Sequence, residues 1–206
     1  MPLSGKKKRW IWRVIWLALL LALFSLNYYM AHRTPKNQFI GALKPWQAFS
    51  RVQVQGILLA PARELKSGGW FGQLADESGT VFLFIKKWPT AISKEAGTRL
   101  LAQGRLIIKT GHGMSVQAST ITSIPKTPIT LRGRISALKT PASHVNVPYR
   151  IRLENSSQPL EIVFWFSPSQ SLSTGIVIEA TGILGVYKEQ LQLQLQHPKN
   201  IHIIDP

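Results

Sequence analysis

The 206-residue chain has no cysteine, which excludes disulfide staples and thiolate metal sites. Acids are scarce too: nine Asp and Glu stand against 25 Lys and Arg. So few carboxylates leave little material for paired acid–base chemistry or a carboxylate metal cage. The five histidines, His32, His112, His144, His197 and His202, are scattered. There is no Gly-x-Ser-x-Gly elbow and no phosphate-binding Gly-Lys-Ser/Thr loop. The sequence therefore reads as a binding protein and not as an enzyme, with no cofactor and no metal expected.

What is present is basic charge, a formal net +16. Lys6, Lys7, Lys8, Arg9 and Arg13 supply five of these charges, so the rest of the chain keeps +11. A surface that basic attracts polyanions such as nucleic acid, anionic lipid or wall polymers.

One long apolar run follows the basic cluster. Val14 to Leu26 is apolar apart from Ser25, and extension to Ala31 gives 18 residues. That is about the minimum for a hydrocarbon core of ~30 Å. Trp10, Trp12 and Trp16 at one end and Tyr28 and Tyr29 at the other fit interfacial aromatic belts. The excess of positive charge before the run predicts a cytoplasmic N-terminus, with the remainder extracytoplasmic. A cleaved signal peptide is the rival reading, but Asn27-Tyr-Tyr-Met30 offers no small-residue cleavage site. The expectation is a basic tail at 1–13, a single-pass transmembrane helix at 14–31 and a stalk at 32–50 carrying Pro35 and Pro45.

The rest repeats itself. Val52-Gln-Val-Gln-Gly56 returns as Ile129-Thr-Leu-Arg-Gly133, an offset of 77 residues. Gly97 and Gly104 enclose six residues, as do Gly175 and Gly182, at an offset of 78. A period this long means a duplicated small domain, because blades and solenoid rungs have shorter periods. The two copies are placed at 51–124 and 125–206.

Period-two alternation predicts five strands in each copy. The first has Val52–Leu59, Trp70–Ala75, Val81–Lys87, Arg99–Lys109 and Met114–Ile121. The second has Ile129–Leu138, Tyr149–Leu153, Leu160–Phe166, Ile176–Val186 and Gln190–Leu195. Asp76-Glu-Ser-Gly79 and Asn155-Ser-Ser-Gln158 read as hairpin turns, and Thr90–Ala96 as a short helix after the third strand.

A first strand ending near Gly56 or Gly133, the Leu74-x-Asp76-x-x-Gly79 hairpin and a Gly-x6-Gly fourth strand running into a fifth resemble bacterial OB-fold nucleic-acid-binding domains. The resemblance covers about residues 50–204. The second copy departs from it with Asn155 and Gln158 at the turn. It implies an all-β architecture of two tandem five-stranded OB-fold barrels behind the transmembrane helix, and single-stranded nucleic acid or another polyanion as ligand.

Strand parity then assigns the open faces. With Leu153, Ile151 and Tyr149 inward, Arg150 and Arg152 point out. Trp165 and Arg132 share that face, and Arg134 follows Gly133. In the first copy Gln53, Gln55, Phe71, Gln73, Phe82, Phe84 and Lys86 are placed outside. Loop contributors are Arg63, Lys66, Lys109 and His112 in the first copy, and Lys139, His144, Tyr187 and Lys188 in the second. The candidate ligand-binding set is Arg132, Arg134, Arg150, Arg152, Trp165, Lys86, Lys139, Tyr187 and Lys188, since aromatics stack on bases while Arg and Lys track phosphates. Phe71, Phe82 and Phe84 are expected to meet the other barrel or a protein partner. The alternative function is an envelope scaffold binding proteins.

Overall fold

The computed structural model describes residues 5–32, 35–109, 113–141, 147–154 and 160–205. The predicted turn at Asn155–Gln158 and the loop residues His112 and His144 lie outside them, as does the side chain of Lys109.

Residues Met1–Pro35 cluster apart from a compact unit, Lys36–Pro206. The first unit holds helix α1 (Gly5–His32), so the basic cluster lies in the helix and not in a separate tail. The side chains from Val14 to Leu26 are all exposed. Among the described residues no helix is long and apolar enough to cross a membrane. That continuous run of 13 residues spans about 20 Å as a helix.

The second unit is built from strands. The first sheet comprises β1 (Asn37–Gln38), β2 (Arg51–Leu58), β3 (Arg63–Glu64), β4 (Trp70–Ala75), β5 (Thr80–Ile85), β6 (Arg99–Lys109) and β7 (Gly113–Ser123). Its order is β1-β2-β6-β7-β5-β4-β3, and a further β2–β4 pairing closes the five long strands into a ring. In that ring β5 and β7 run parallel and the other pairs antiparallel.

The second sheet comprises β8 (Ile129–Lys139), β9 (Tyr149–Leu153), β10 (Glu161–Phe164), β11 (Val177–Tyr187), β12 (Gln190–Gln194) and β13 (Ile201–Asp205). It repeats the order strand for strand: β8 pairs β9, β9 pairs β10, β10 runs parallel to β12, and β11 pairs both β12 and β8. Its fifth strand comes in two pieces. β12 pairs the far end of β11 and β13 takes over at Val177–Ala180, with a turn at Pro198–Asn200 between them. In the first sheet the single strand β7 covers all of β6 from Leu100 to Lys109.

All ten predicted strands are present within two residues of their expected bounds. Thr90–Ala96 is not a helix but a run of turns. Its carbonyls serve other donors: that of Ile92 accepts the Trp88 indole N–H at 2.9 Å, and that of Lys94 accepts Ala62 N–H at 2.7 Å. Residues 37–48, read as stalk, belong to the fold. Ile40 and Leu43 are buried in the first core, and Asn37–Gln38 adds a parallel strand to β2.

The repeated glycines mark where strands meet. A Cβ at Gly104 would overlap the carbonyl oxygen of Gln117 on β7, and one at Gly182 would lie 2.6 Å from that of Gln194 on β12. The fourth strand thus lies against the fifth at the same place in both copies, next to a register shift on β6. Only glycine permits that approach.

Each sheet wraps its own apolar core. Val52, Val54, Leu74, Leu83, Leu100 and Leu106 fill the first, and Ile135, Ile151, Ile162, Phe164, Ile178 and Leu193 the second. Ile57, Leu59 and Ala75 break this division. They come from the first sheet but are buried in the second cluster, with Leu184 beside Ile57 and Ala75.

Candidate nucleic-acid interface

The outward side of the first barrel is set by its register. Phe71 on β4 lies opposite Phe84 on β5, and Gln73 opposite Phe82. The Phe71 ring is 5.1 Å from Phe84 and 5.4 Å from Phe82, centroid to centroid. All three rings are half-buried, and none belongs to either core. Gln53 and Gln103 join side chains at 2.7 Å across β2 and β6, with Arg51 and Arg105 as the next pair along. Lys86 and Lys87 are exposed just beyond Ile85. The amides beside the aromatic patch are Gln73, opposite Phe82, and exposed Gln117 on β7, opposite Phe84, whereas Gln53 and Gln103 lie on β2 and β6.

Ile57, Leu59 and Ala75 share this strand parity, and they are the part of the outer face that the second barrel covers. This corrects the expected role of the phenylalanines within the chain: the aliphatic residues make the inter-barrel contact.

On the second barrel parity places the residues as expected. Leu153 and Ile151 are buried, Tyr149 stacks on Phe164 at 5.0 Å, and Trp165 is 66 % exposed. The arginines, however, carry an unforeseen partner. Arg150 donates to Glu161 at 2.8 Å and Arg152 at 3.3 Å. Burial pushes the Glu161 carboxyl up, but the hydrogen bond and charge of Arg150, joined by those of Arg152, outweigh it and hold the carboxyl below its usual range. Arg134 donates to the carbonyl of Gly175 and sits 3.9 Å from Glu154. Arg132 is exposed, opposite Glu179 in register. The arginine row is therefore interleaved with acids. Parity already carried this signal, because inward Ile162 and Phe164 put Glu161 on the arginine face.

Arg150, Trp165 and Tyr187 do come together. They line a groove of about 660 Å³ whose other walls include Val163, Val186 and Gln192. Lys188 sits at its rim, with its ammonium 5.5 Å from the Tyr187 ring centroid, and Lys139 pairs with Arg150 in register. Lys86 lies on the other barrel, and Arg132 and Arg134 lie on β8; none of them lines the groove. Arg63 on β3, opposite Phe71, and Lys66 in the turn before β4 are both exposed. Gln192, absent from the sequence-derived set, is 4 % exposed. Its amide nitrogen has no hydrogen-bond partner among the described residues. The Leu191-Gln-Leu-Gln-Leu195 alternation put it on the outer face, but nothing in the sequence signals its burial there. No group of three or more His, Asp or Glu that could hold a metal occurs among the described residues.

No family model matches this chain, and no curated protein matches it. Among solved structures it is similar to asparaginyl-tRNA synthetase from Pyrococcus horikoshii, with 14 % identity and a TM-score of 0.37 over 44 % of this chain and 23 % of that one. The chain thus spans under a quarter of the synthetase. It is also similar to the wild-type single-stranded DNA binding protein from Thermus aquaticus, with 18 % identity and a TM-score of 0.32 over 76 % and 92 % of the two chains. A third likeness is to p202 HIN2, with 10 % identity and a TM-score of 0.31 over 83 % and 99 %. The barrel's own pairing, with its parallel third and fifth strands and its closure between the first strand and both the second and the fourth, is the strand order of the OB-fold.

Proposed function

We propose that this chain is a tandem OB-fold protein that binds single-stranded nucleic acid across the outer face of its first barrel. The observation that carries the reading is the Phe71–Phe82–Phe84 patch, three contiguous half-exposed rings with Gln73 and Gln117 beside them in register and Lys86 and Lys87 just beyond. Aromatic faces stack on bases regardless of sequence, and cations follow the phosphates. The net charge of +16 favours a polyanion as ligand. The arginine face of the second barrel is secondary, because Glu161 and Glu154 occupy much of its charge.

In the same proposal α1 is a membrane anchor that holds the barrels on the extracytoplasmic side. Its support is the exposed apolar surface from Val14 to Leu26 with Trp12, Trp16 and Tyr28 at the ends.

The test is fluorescence anisotropy of a labelled oligothymidylate titrated with the full chain in nanodiscs. Phe82→Ala is expected to weaken binding about 5-fold or more, the equivalent of ~1 kcal/mol of lost stacking. Unchanged affinity would move the function to an envelope scaffold that docks a protein on the same phenylalanines.

A further inference from the structure

The groove on the second barrel has a polar group with nothing to bind. Gln192 lies on the outer side of β12, between Glu161 on β10 and Gly185 on β11. It is 4 % exposed, and its amide nitrogen donates to no partner among the described residues. A buried donor left unpaired is costly, and an acceptor on a ligand in the groove would satisfy it. Gly185, having no side chain, lets the Gln194 side-chain amide pack against it.

The aromatic groups of the groove bracket β12. Tyr187 stands by Gln190 at one end, while Trp165 follows Val163, which pairs with Gln194 at the other. Val163 stands four strand residues from the Tyr187 level and Trp165 two further along, about 20 Å in all. Two rings that far apart do not sandwich one ring but suit an extended ligand with a planar group near each end. Arg150 is already neutralised by Glu161, so the floor offers hydrogen bonds and apolar contact more than net charge.

We propose that this groove is a second, separate site for three or four nucleotides of an extended single strand, with bases stacked at Trp165 and Tyr187. Gln192 donates to a carbonyl on a base edge between them. Thymine and uracil carry two such carbonyls and adenine none, so the site favours thymidine or uridine runs. The inference shares the ligand class of the proposed function but rests on different residues.

The experiment uses the full chain with short oligothymidylate, short oligoadenylate and free thymidine as probes, in low and high salt. Photo-cross-linking locates each contact. The expected result is thymidylate cross-linked to peptides carrying Trp165 or Tyr187, about tenfold preference over adenylate, and weak salt dependence at this site. Gln192→Leu is expected to abolish that preference while raising the melting temperature, because it removes an unpaired buried donor at little change in size. Cross-links confined to Phe71, Phe82 or Phe84 would overturn the groove and leave the first-barrel reading standing. Cross-links confined to the groove would do the reverse. Free thymidine binding as tightly as the oligomer would overturn the extended-strand ligand. A lowered melting temperature in Gln192→Leu, with base preference intact, would make Gln192 structural and overturn its role.

Discussion

Asp76 shows how much one side chain settles. Its carboxylate accepts from Ser78 N–H at 2.8 Å, Ser78 Oγ at 2.6 Å and Gly79 N–H at 2.9 Å, fixing the β4–β5 turn. Its other oxygen accepts Ile40 N–H at 2.8 Å and so fastens the preceding segment to the barrel. Asp76→Ala strands these donors and is expected to cost on the order of 3 kcal/mol, read from urea unfolding of the full chain. The turn was legible, because Asp and Gly at that spacing suit one; the reach to Ile40, 36 residues earlier, was not. Glu161 makes a second case. Its folded pKa lies below the ordinary value of 4.5, so its stabilising contribution is complete above that value and fades as pH falls through the lower folded one. Glu161→Gln is therefore expected to be less stable than wild type at neutral pH, with the gap closing below about pH 4.5. A gap independent of pH would contradict the pairing with Arg150 and Arg152.

Among elements, the strands whose apolar residues alternate over five or more positions were readable, as Leu191-Gln-Leu-Gln-Leu195 illustrates. Asn37–Gln38 and Arg63–Glu64 were not, since two residues carry no period and owe their conformation to the neighbours they pair with. Ile201–Asp205 escaped because Ile203 and Ile204 break the alternation, and because its role as a continuation of β12 is a tertiary matter. Thr90–Ala96 has helical composition, but the Trp88 indole and the Ala62 backbone N–H claim its carbonyls. The spacing of Gly104 and Gly182 was visible as a repeat, and its cause is the close contact of fourth and fifth strands. Gly104→Val is expected to destabilise by about 3 kcal/mol, because the Gln117 backbone cannot yield without opening β6–β7. Circular dichroism melts of the full chain check this.

At the scale of the whole molecule, the two halves of the chain form two barrels with separate cores, yet Ile57, Leu59 and Ala75 bind them into one unit. Sequence parity located the outer faces but not which part of each would be covered, because coverage depends on how two independently folded surfaces meet. The uncovered part of the first barrel's face keeps its phenylalanines, with Arg63 opposite Phe71 and Lys86 and Lys87 just beyond Phe84. Binding of single-stranded nucleic acid by this surface is the central claim, and it has a salt signature. Each phosphate neutralised releases condensed counterions, giving a slope of about −0.7 per contact in log affinity against log salt for a single strand. The decisive measurement is that slope for the full chain with oligothymidylate, compared with the triple variant Phe71→Ala, Phe82→Ala, Phe84→Ala. The expected result is steep weakening with salt, together with an affinity loss of about 30-fold or more in the variant at every salt concentration. No binding at low salt, or equal affinity of the two proteins, would contradict it.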